Sequence, residues 1–285
     1  YINRGTMHTS SVSVNVEGRS YSFKVGGDTK WGKDRVLLDS DDDLTKNTEL
    51  EKSGYIVAKF LSTQECADLK SLLKHILCNK LKEILNIELL PDKLTDYHKY
   101  ISQEEHLKFV SAIYKKGKGL SCKKYINEFY EKIENRVSEL CGVDVTTKMA
   151  EREHEEFFIR FVRPYENLLD NNPPHRDAYI PRLKDALNIY FPLCGSNKDS
   201  SLGIIPESHR WKENEIERTV SGTEIGEYSF SVSCITDTKH GGINIKRPQP
   251  NDGEFVLFSP YCIHGGAPNF ADKTRVSLEV RFWRK

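Results

Sequence analysis

The chain has no surplus of either charge, no apolar run of membrane-spanning length, no closely spaced cysteine pair and no internal repeat. Its 42 Lys and Arg balance its 42 Asp and Glu, so no net field draws it to a polyanion or an anionic lipid surface. Neither nucleic acid nor membrane is therefore an expected partner. A stretch of about twenty consecutive apolar residues, as a membrane-spanning helix needs, is missing. The first residues also lack the charged, apolar and small-residue order of a secretory signal. These two absences give the expectation of a cytoplasmic protein, although the chain opens on Tyr1, so N-terminal targeting is not read from it. The seven cysteines (Cys66, Cys78, Cys122, Cys141, Cys194, Cys234, Cys262) are odd in number and contain no C-x-x-C pair, which argues for reduced thiols packed in a core. What is present is 285 residues with 38% hydrophobic content, enough to bury a sizeable core.

Three regions follow from the pattern of the residues. In the first, 1–50, Val12, Val14 and Val16, then Tyr21, Phe23 and Val25, alternate around Glu17-Gly18-Arg19, the period and turn chemistry of a hairpin. The acidic run from Asp39 to Asp43 reads as a solvated linker. The second region, 51–150, is helical and expected to pack on the rest. Ser62 with Glu65 forms a capping-box signature before Cys66, Leu69, Leu73, Ile76 and Leu77. Ser102 with Glu105 repeats it before Leu107, Val110 and Ile113. A third stripe, Tyr125, Ile126, Phe129, Tyr130, Ile133 and Val137, ends near Gly142. Such stripes are core faces first.

The third region, 151–285, turns to short β-rich runs: 157–163, 186–192, 202–205, 228–235, 254–259 and 274–283. Turn-formers such as Asn171-Asn172-Pro173-Pro174, Gly241-Gly242, Asn251-Asp252-Gly253 and Gly265-Gly266 separate them. Many short strands punctuated in this way indicate a sandwich, jelly roll or barrel. Residues 50–285 are expected to form one domain.

Within this region His175-Arg176-Asp177 follows a proline-fixed turn, and in an extended segment residues 175 and 177 share a face. His264 sits where the 254–259 strand enters the Gly265-Gly266 turn. Two imidazoles and one carboxylate on one side of an ion leave the opposite positions open, the arrangement of non-haem Fe(II) oxygenases. H-x-D alone is a weak signal, since such triplets arise by chance. Its weight comes from Arg275, eleven positions beyond His264. Arg275 opens a strand on which Arg275, Ser277, Glu279 and Arg281 share one face and Val276, Leu278, Val280 and Phe282 the other. Periodicity allows two readings of the polar face. It is either solvated or turned into a barrel, where a guanidinium and a hydroxyl suit the distal end of a dicarboxylate.

Here the chain resembles the phytanoyl-CoA dioxygenase-like family of Fe(II)/2-oxoglutarate-dependent oxygenases, over roughly residues 51–283. The resemblance rests on Gly54-Tyr55-Ile56-Val57 leading to Phe60-Leu61-Ser62, on His175-Arg176-Asp177, and on the loop Gly203-Ile204-Ile205-Pro206-Glu207-Ser208-His209. It rests further on Gly253-Glu254 with Phe258, on His264-Gly265-Gly266 and on Arg275-Val276-Ser277. Glu207 stands where the family usually has glycine, which leaves the metal motif intact but questions the shape of that loop.

The resemblance implies an α+β fold, a double-stranded β-helix (jelly roll, cupin-like) braced by the N-terminal helical segment. It implies Fe(II) on His175, Asp177 and His264, with 2-oxoglutarate as co-substrate held by Arg275 and Ser277, and O2 as oxidant. Asn188 and Tyr190, two apart on the strand after the H-x-D turn, fall where family members contact 2-oxoglutarate. They could equally be an inward polar residue and a core aromatic. His209 belongs to the loop motif rather than the ligand set, and His154 and His240 have no partner at ligand spacing. Related halogenases replace the carboxylate ligand with a small residue, so Asp177 implies hydroxylation or a related oxidation.

The expected function is hydroxylation of a small polar metabolite (a sugar, amino-acid or nucleotide derivative) with release of succinate and CO2. Arg163, Arg176, Arg182, Lys184, Lys239 and Arg247 are expected near the barrel mouth. The alternatives are an alkylation-repair demethylase, which shares the five-residue gap between Arg275 and Arg281, and a non-catalytic jelly-roll binding module.

Overall fold

A computed structural model of the chain describes residues 9–38, 41, 43–113, 122–148, 157–164, 170–226 and 228–285. His154, Asp39 and Asp42 of the acidic run, and the side chains of Cys122, Tyr125 and Ile126 lie outside the described residues.

Strands β1 (Thr9–Val16), β2 (Arg19–Gly26) and β3 (Thr29–Trp31) come first, and helix α1 (Leu50–Ser53) leads into β4 (Tyr55–Lys59). Helices α2 (Thr63–Leu85), α3 (Tyr97–Tyr100), α4 (Gln103–Ile113) and α5 (Cys122–Cys141) follow, then β5 (Val145–Thr146), β6 (Phe157–Val162) and β7 (Leu187–Cys194). The remaining strands are β8 (Ile216–Thr219), β9 (Thr223–Ile225), β10 (Tyr228–Phe230), β11 (Ile235–Thr238), β12 (Ile243–Ile245), β13 (Glu254–Phe258) and β14 (Arg275–Arg284). Among the described residues no helix is long and apolar enough to cross a membrane.

Local chemistry starts the helices where the sequence places them. Ser62 Oγ accepts from the Glu65 amide while the Glu65 carboxylate accepts from the Ser62 amide, 3.3 and 2.8 Å. Ser102 and Glu105 do the same before α4, at 3.3 and 2.8 Å. Each box satisfies backbone donors that a helix N-terminus leaves unpaired. From α2, Cys66, Leu69, Leu73, Leu77 and Leu81 are buried in one cluster with Phe129, Ile133 and Val137 of α5.

That cluster is completed by the larger sheet, in the order β4-β13-β7-β14-β5, with β6 also on β14. Alternation sorts its residues onto two sides. Ile189, Phe191 and Leu193 of β7 and Val276, Leu278, Val280 and Phe282 of β14 face the helices. Tyr190 instead joins Val256, Phe258, Leu202, Ile204 and Cys262 in a separate interior cluster. Burying each such apolar side chain contributes roughly 1.5–3 kcal/mol, so the helices hold the sheet and its other face is left for chemistry.

A second sheet runs β10-β9-β2-β1-β12, and a three-stranded one runs β11-β8-β3. The N-terminal hairpin does not stand ahead of the barrel. It is one of its walls: β1 pairs in parallel with β12, Val14 opposite Ile243 and Val16 opposite Ile245. Val12, Val14, Val16 and Val25 are buried with Ile205, Ile216, Ile235 and Ile263. With every other paired strand antiparallel, the curled sheets form a double-stranded β-helix, an α+β jelly roll.

Two of the expected β runs differ in detail. Residues 202–205 form no strand; Ile204 exchanges both hydrogen bonds with Lys246 while the Ile205 amide reaches the Ile263 carbonyl, so each residue stitches a different partner. The 228–235 run breaks into β10 and β11. Between them, Thr219 Oγ1 accepts from the Cys234 amide and Thr223 Oγ1 donates to the Val232 carbonyl, at 2.9 and 2.7 Å, which removes those backbone groups from the ladder.

Candidate metal centre

The two histidines are brought together by backbone pairing. His175 and His264 form an isolated antiparallel bridge, with each amide donating to the other's carbonyl at 3.0 Å. After Arg176, which is extended at φ −113°, the chain turns into a 3-10 turn at Asp177–Tyr179. The extended residue sends its neighbours to one side and its own side chain to the other. Arg176 is accordingly buried away from the site, bonded to Glu213 at 2.5 Å and to the Ser208 carbonyl. On the other flank, Gly265 and Gly266 both take positive φ. A Cβ at 265 would lie 2.9 Å from the Asn172 oxygen, and one at 266 would lie 2.3 Å from Pro174 Cγ. Only glycine lets the turn after His264 pack so closely on the turn before His175.

One donor atom from each of His175, Asp177 and His264 lies within 4.8 Å of the other two, and all three residues are buried. Asp177 Oδ1 is 3.4 Å from His175 Nε2 and 3.9 Å from His264 Nε2. The other imidazole nitrogens fix the tautomers. His175 Nδ1 lies 2.8 Å from the Pro173 carbonyl and His264 Nδ1 lies 3.0 Å from the Cys262 carbonyl. A carbonyl only accepts, so both Nδ1 atoms carry hydrogen and both Nε2 lone pairs point inward. Burial, with His175 beside it, pushes the His264 pKa down to about 4, against the pull of Asp177. Its ring is neutral, as a ligand requires.

Asp177 presents its two oxygens to different neighbours. Oδ1 faces the histidines, while Oδ2 accepts from Asn188 Nδ2 at 3.1 Å and from Arg281 Nη2 at 3.2 Å. Burial alone would favour the neutral acid; the Arg281 guanidinium and then the two histidines overcome it and hold this carboxyl well below the usual carboxylate range.

The polar face of β14 is thus interior. Arg275 is only 2% exposed and Ser277 is fully buried, which excludes the solvated-strand alternative. Arg275 Nη1 donates to the Ser200 carbonyl at 3.0 Å and Nη2 approaches Asn171 Oδ1 at 3.5 Å; among the described residues no carboxylate is in direct contact with it, Glu279 acting on it only from farther off. Its Nε and the Ser277 hydroxyl, both buried, have no hydrogen-bond partner among the described residues. A buried cation with no carboxylate in direct contact, beside an unsatisfied hydroxyl, is an unstable arrangement by itself and could seat a carboxylate. Tyr190, across from it, places its ring 5.4 Å from the guanidinium and hydrogen-bonds through its hydroxyl to Ser196 at 2.7 Å.

These groups line one cavity, about 520 Å³ including its open mouth, which His175, Asp177, Asn188, Tyr190, His264 and Arg275 share with Arg160, Glu279 and Arg281. Arg160 meets Glu279 bidentately, at 2.8 and 3.1 Å. Sequence reasoning gave Arg281 no part in the metal site and passed over Arg160, although the alternation of β14 already put Arg281 and Glu279 on the face of Arg275.

Three of the expected mouth residues are a correction. Arg163 is buried against Asp170 at 2.7 Å, Arg176 against Glu213, and Arg247 on the carbonyls of Ser201 and Pro268. A buried guanidinium must be satisfied internally, so these three brace the walls, and the cations of the cavity are Arg160, Arg275 and Arg281. His209 is not in the donor cluster; its Nε2 lies 3.1 Å from the Glu51 carbonyl. His240 stacks on Trp211 instead, 3.8 Å between centroids.

Fold and site together define a jelly-roll protein with an inward-facing two-histidine, one-carboxylate donor set beside a buried guanidinium. The sequence model of the phytanoyl-CoA dioxygenase (PhyH) family matches residues 50–277, and the chain belongs to that family of Fe(II)/2-oxoglutarate-dependent oxygenases. No curated protein matches. Among solved structures, the chain is similar to EctD from S. alaskensis in its apo form, at 15% identity and TM-score 0.46, covering 90% of this chain and 80% of that one. It is similar to the same enzyme with bound Fe, at 13% identity and TM-score 0.48, covering 96% and 84%. A third similar structure is EvdO2 from Micromonospora carbonacea var. aurantiaca, at 14% identity and TM-score 0.47, covering 89% and 92%.

Proposed function

We propose that the chain hydroxylates a small metabolite bearing polar groups, with Fe(II) held by His175 Nε2, Asp177 Oδ1 and His264 Nε2. The far carboxylate of 2-oxoglutarate sits on Arg275 and Ser277. The observation that carries this reading is Arg275: a buried guanidinium with no carboxylate in direct contact among the described residues, on the cavity that holds the three converging donors. Iron with 2-oxoglutarate and O2 supplies the oxidising power when bound, releasing succinate and CO2.

The rest is the work of this chain's residues. The carbonyls of Pro173 and Cys262 keep both Nε2 lone pairs available, and Asn188 with Arg281 occupies Asp177 Oδ2, so that Oδ1 alone is offered to the ion. Three donors on one side leave room for co-substrate and O2 on the other. Leu202 and Phe258 give the cavity an apolar wall that limits water around the reacting groups. Asp177 occupies the place that halogenases free for chloride, which favours hydroxylation. Arg281 is engaged with Asp177, which accounts for its spacing from Arg275 without a nucleic-acid substrate.

The test is succinate formation from 2-oxoglutarate by the iron-loaded enzyme. Arg275→Gln keeps hydrogen-bonding capacity but removes the charge, and should raise the KM for 2-oxoglutarate by about two orders of magnitude, the worth of a charge-assisted bidentate contact. An unchanged KM would place the co-substrate elsewhere.

A further inference from the structure

A second groove adjoins the metal cavity, and two of its eight lining residues, the aromatic pair Tyr21 and Phe23, come from outside the family match. It is lined by Tyr21, Phe23 and Ile225 on one side and by Pro173, Gly266 and Pro268 on the other, with Asn171 and Asn172 between. Tyr21 and Phe23 stack at 5.8 Å with 17° between their planes. They lie on β2, before residue 50, where the family match begins. Both are half-buried, whereas their cross-strand partners Val14 and Val12 are buried completely. The Tyr21 hydroxyl donates to the Gly266 carbonyl, which pins its ring to the turn that follows His264.

The groove and the metal cavity are neighbours that share part of their lining. Asn171 and Asn172 line both, and Gly265 and Gly266 contribute one residue to each. Asn171 is committed, its amide donating to the Ala267 carbonyl at 2.9 Å; the Asn172 side chain has no such bond among the described residues. The two spaces differ in chemistry, guanidiniums and carboxylates in one, two flat rings, two prolines and an isoleucine in the other.

We propose that this groove is a substrate subsite: it binds a planar, uncharged ring of the molecule whose polar part enters the metal cavity. Paired aromatic faces favour a flat ring over a flexible chain, because stacking rewards planar contact, and Asn172 meets a polar atom on that ring's edge. The proposal rests on the oxygenase reading above but has its own test.

The probe is indole, added to full-length enzyme loaded with Mn(II) and N-oxalylglycine and followed by saturation-transfer NMR. Indole should bind saturably with both groups in place, and Phe23→Ala should weaken it by about tenfold, as loss of one stacking face predicts. Phe23→Tyr should restore it. Retained N-oxalylglycine binding in each variant shows that the fold and the metal site are intact. In a turnover screen, ring-bearing compounds should stimulate succinate release more than ring-free counterparts, with Phe23→Ala raising their KM and leaving kcat within about twofold. Indole binding unaffected by Phe23→Ala, displacement by 1-octanol at equal concentration, or no preference for ring-bearing compounds would each overturn the subsite. Loss of N-oxalylglycine binding from the wild-type enzyme would count against the oxygenase reading alone.

Discussion

At the scale of single residues, Asp177 and Arg281 separate binding the ion from holding its ligand. Asp177→Ala removes a donor and should abolish both hydroxylation and tight iron binding. Arg281→Gln leaves all three donors but frees Asp177 Oδ2 from its cation, and should weaken iron binding by about 10- to 100-fold, the usual effect of losing a ligand's supporting partner. Equilibrium dialysis with Fe(II) under nitrogen distinguishes them. Equal affinities for wild type and Asp177→Ala would remove the carboxylate from the ligand set.

Glu207, the residue that departs from the family's usual glycine, takes a left-handed backbone conformation that favours glycine. Its φ is +65° and its amide donates to the Ser53 carbonyl at 2.8 Å, so the loop holds its shape against side-chain strain. A non-glycine residue there costs about 1 kcal/mol, partly offset by glycine's greater freedom when unfolded. Glu207→Gly should therefore stabilise the fold by about 0.5 kcal/mol. A denaturant midpoint that falls would mean that the side chain stabilises the loop through contacts of its own.

Among the elements, β14 was legible and the segment that delivers the ligands only half so. Its alternation put Arg275, Ser277, Glu279 and Arg281 on one face, but periodicity could not say whether that face met water, because the answer lies in strands far off in sequence. The capping boxes of α2 and α4 were readable because each depends on residues three apart. Strand β12 and the bridge between His175 and His264 were not, since they exist only through partners at β1 and across the barrel. The groove wall was hidden for the same reason: Tyr21 and Phe23 looked like ordinary hairpin residues.

The helical layer carries a pH-dependent element. His106 of α4 lies 3.3 Å from Asp170, which also holds Arg163, and Tyr97 of α3 hydrogen-bonds His106 Nδ1 at 3.1 Å. Burial drives its pKa down to about 4, with Arg163 assisting and Asp170 opposing. A tyrosine hydroxyl that donates to Nδ1 and a carboxylate that accepts from Nε2 both suit the neutral ring. The unfolded chain takes up a proton near pH 6.5 and the folded one only near 4, so stability should fall as the pH drops through that window, by up to a few kcal/mol. In His106→Gln this part of the slope should vanish. Thermal midpoints of the two proteins from pH 7 to 4 give the comparison, and parallel curves would show that the ring takes up its proton at the same pH folded and unfolded.

For the whole molecule, the account says that a balanced surface charge and an ordinary core enclose one charged cavity. The helices cover one face of the large sheet, the N-terminal hairpin extends the opposite sheet, and the interior gathers residues 160, 175, 177, 188, 264, 275 and 281 from five separate stretches of chain. Composition bounded the charge and size of this object, and the motif at 175–177 marked its centre. The third donor and the guanidinium could be named only because their spacing matched a family; geometry explains why that spacing works.

The most direct test is anomalous diffraction at the iron edge from crystals grown without oxygen in Fe(II) and N-oxalylglycine. The account predicts a single peak bonded to His175 Nε2, Asp177 Oδ1 and His264 Nε2, with the analogue's distal carboxylate on Arg275. A peak lying away from any of those three atoms, or an empty cavity at saturating iron, would contradict it.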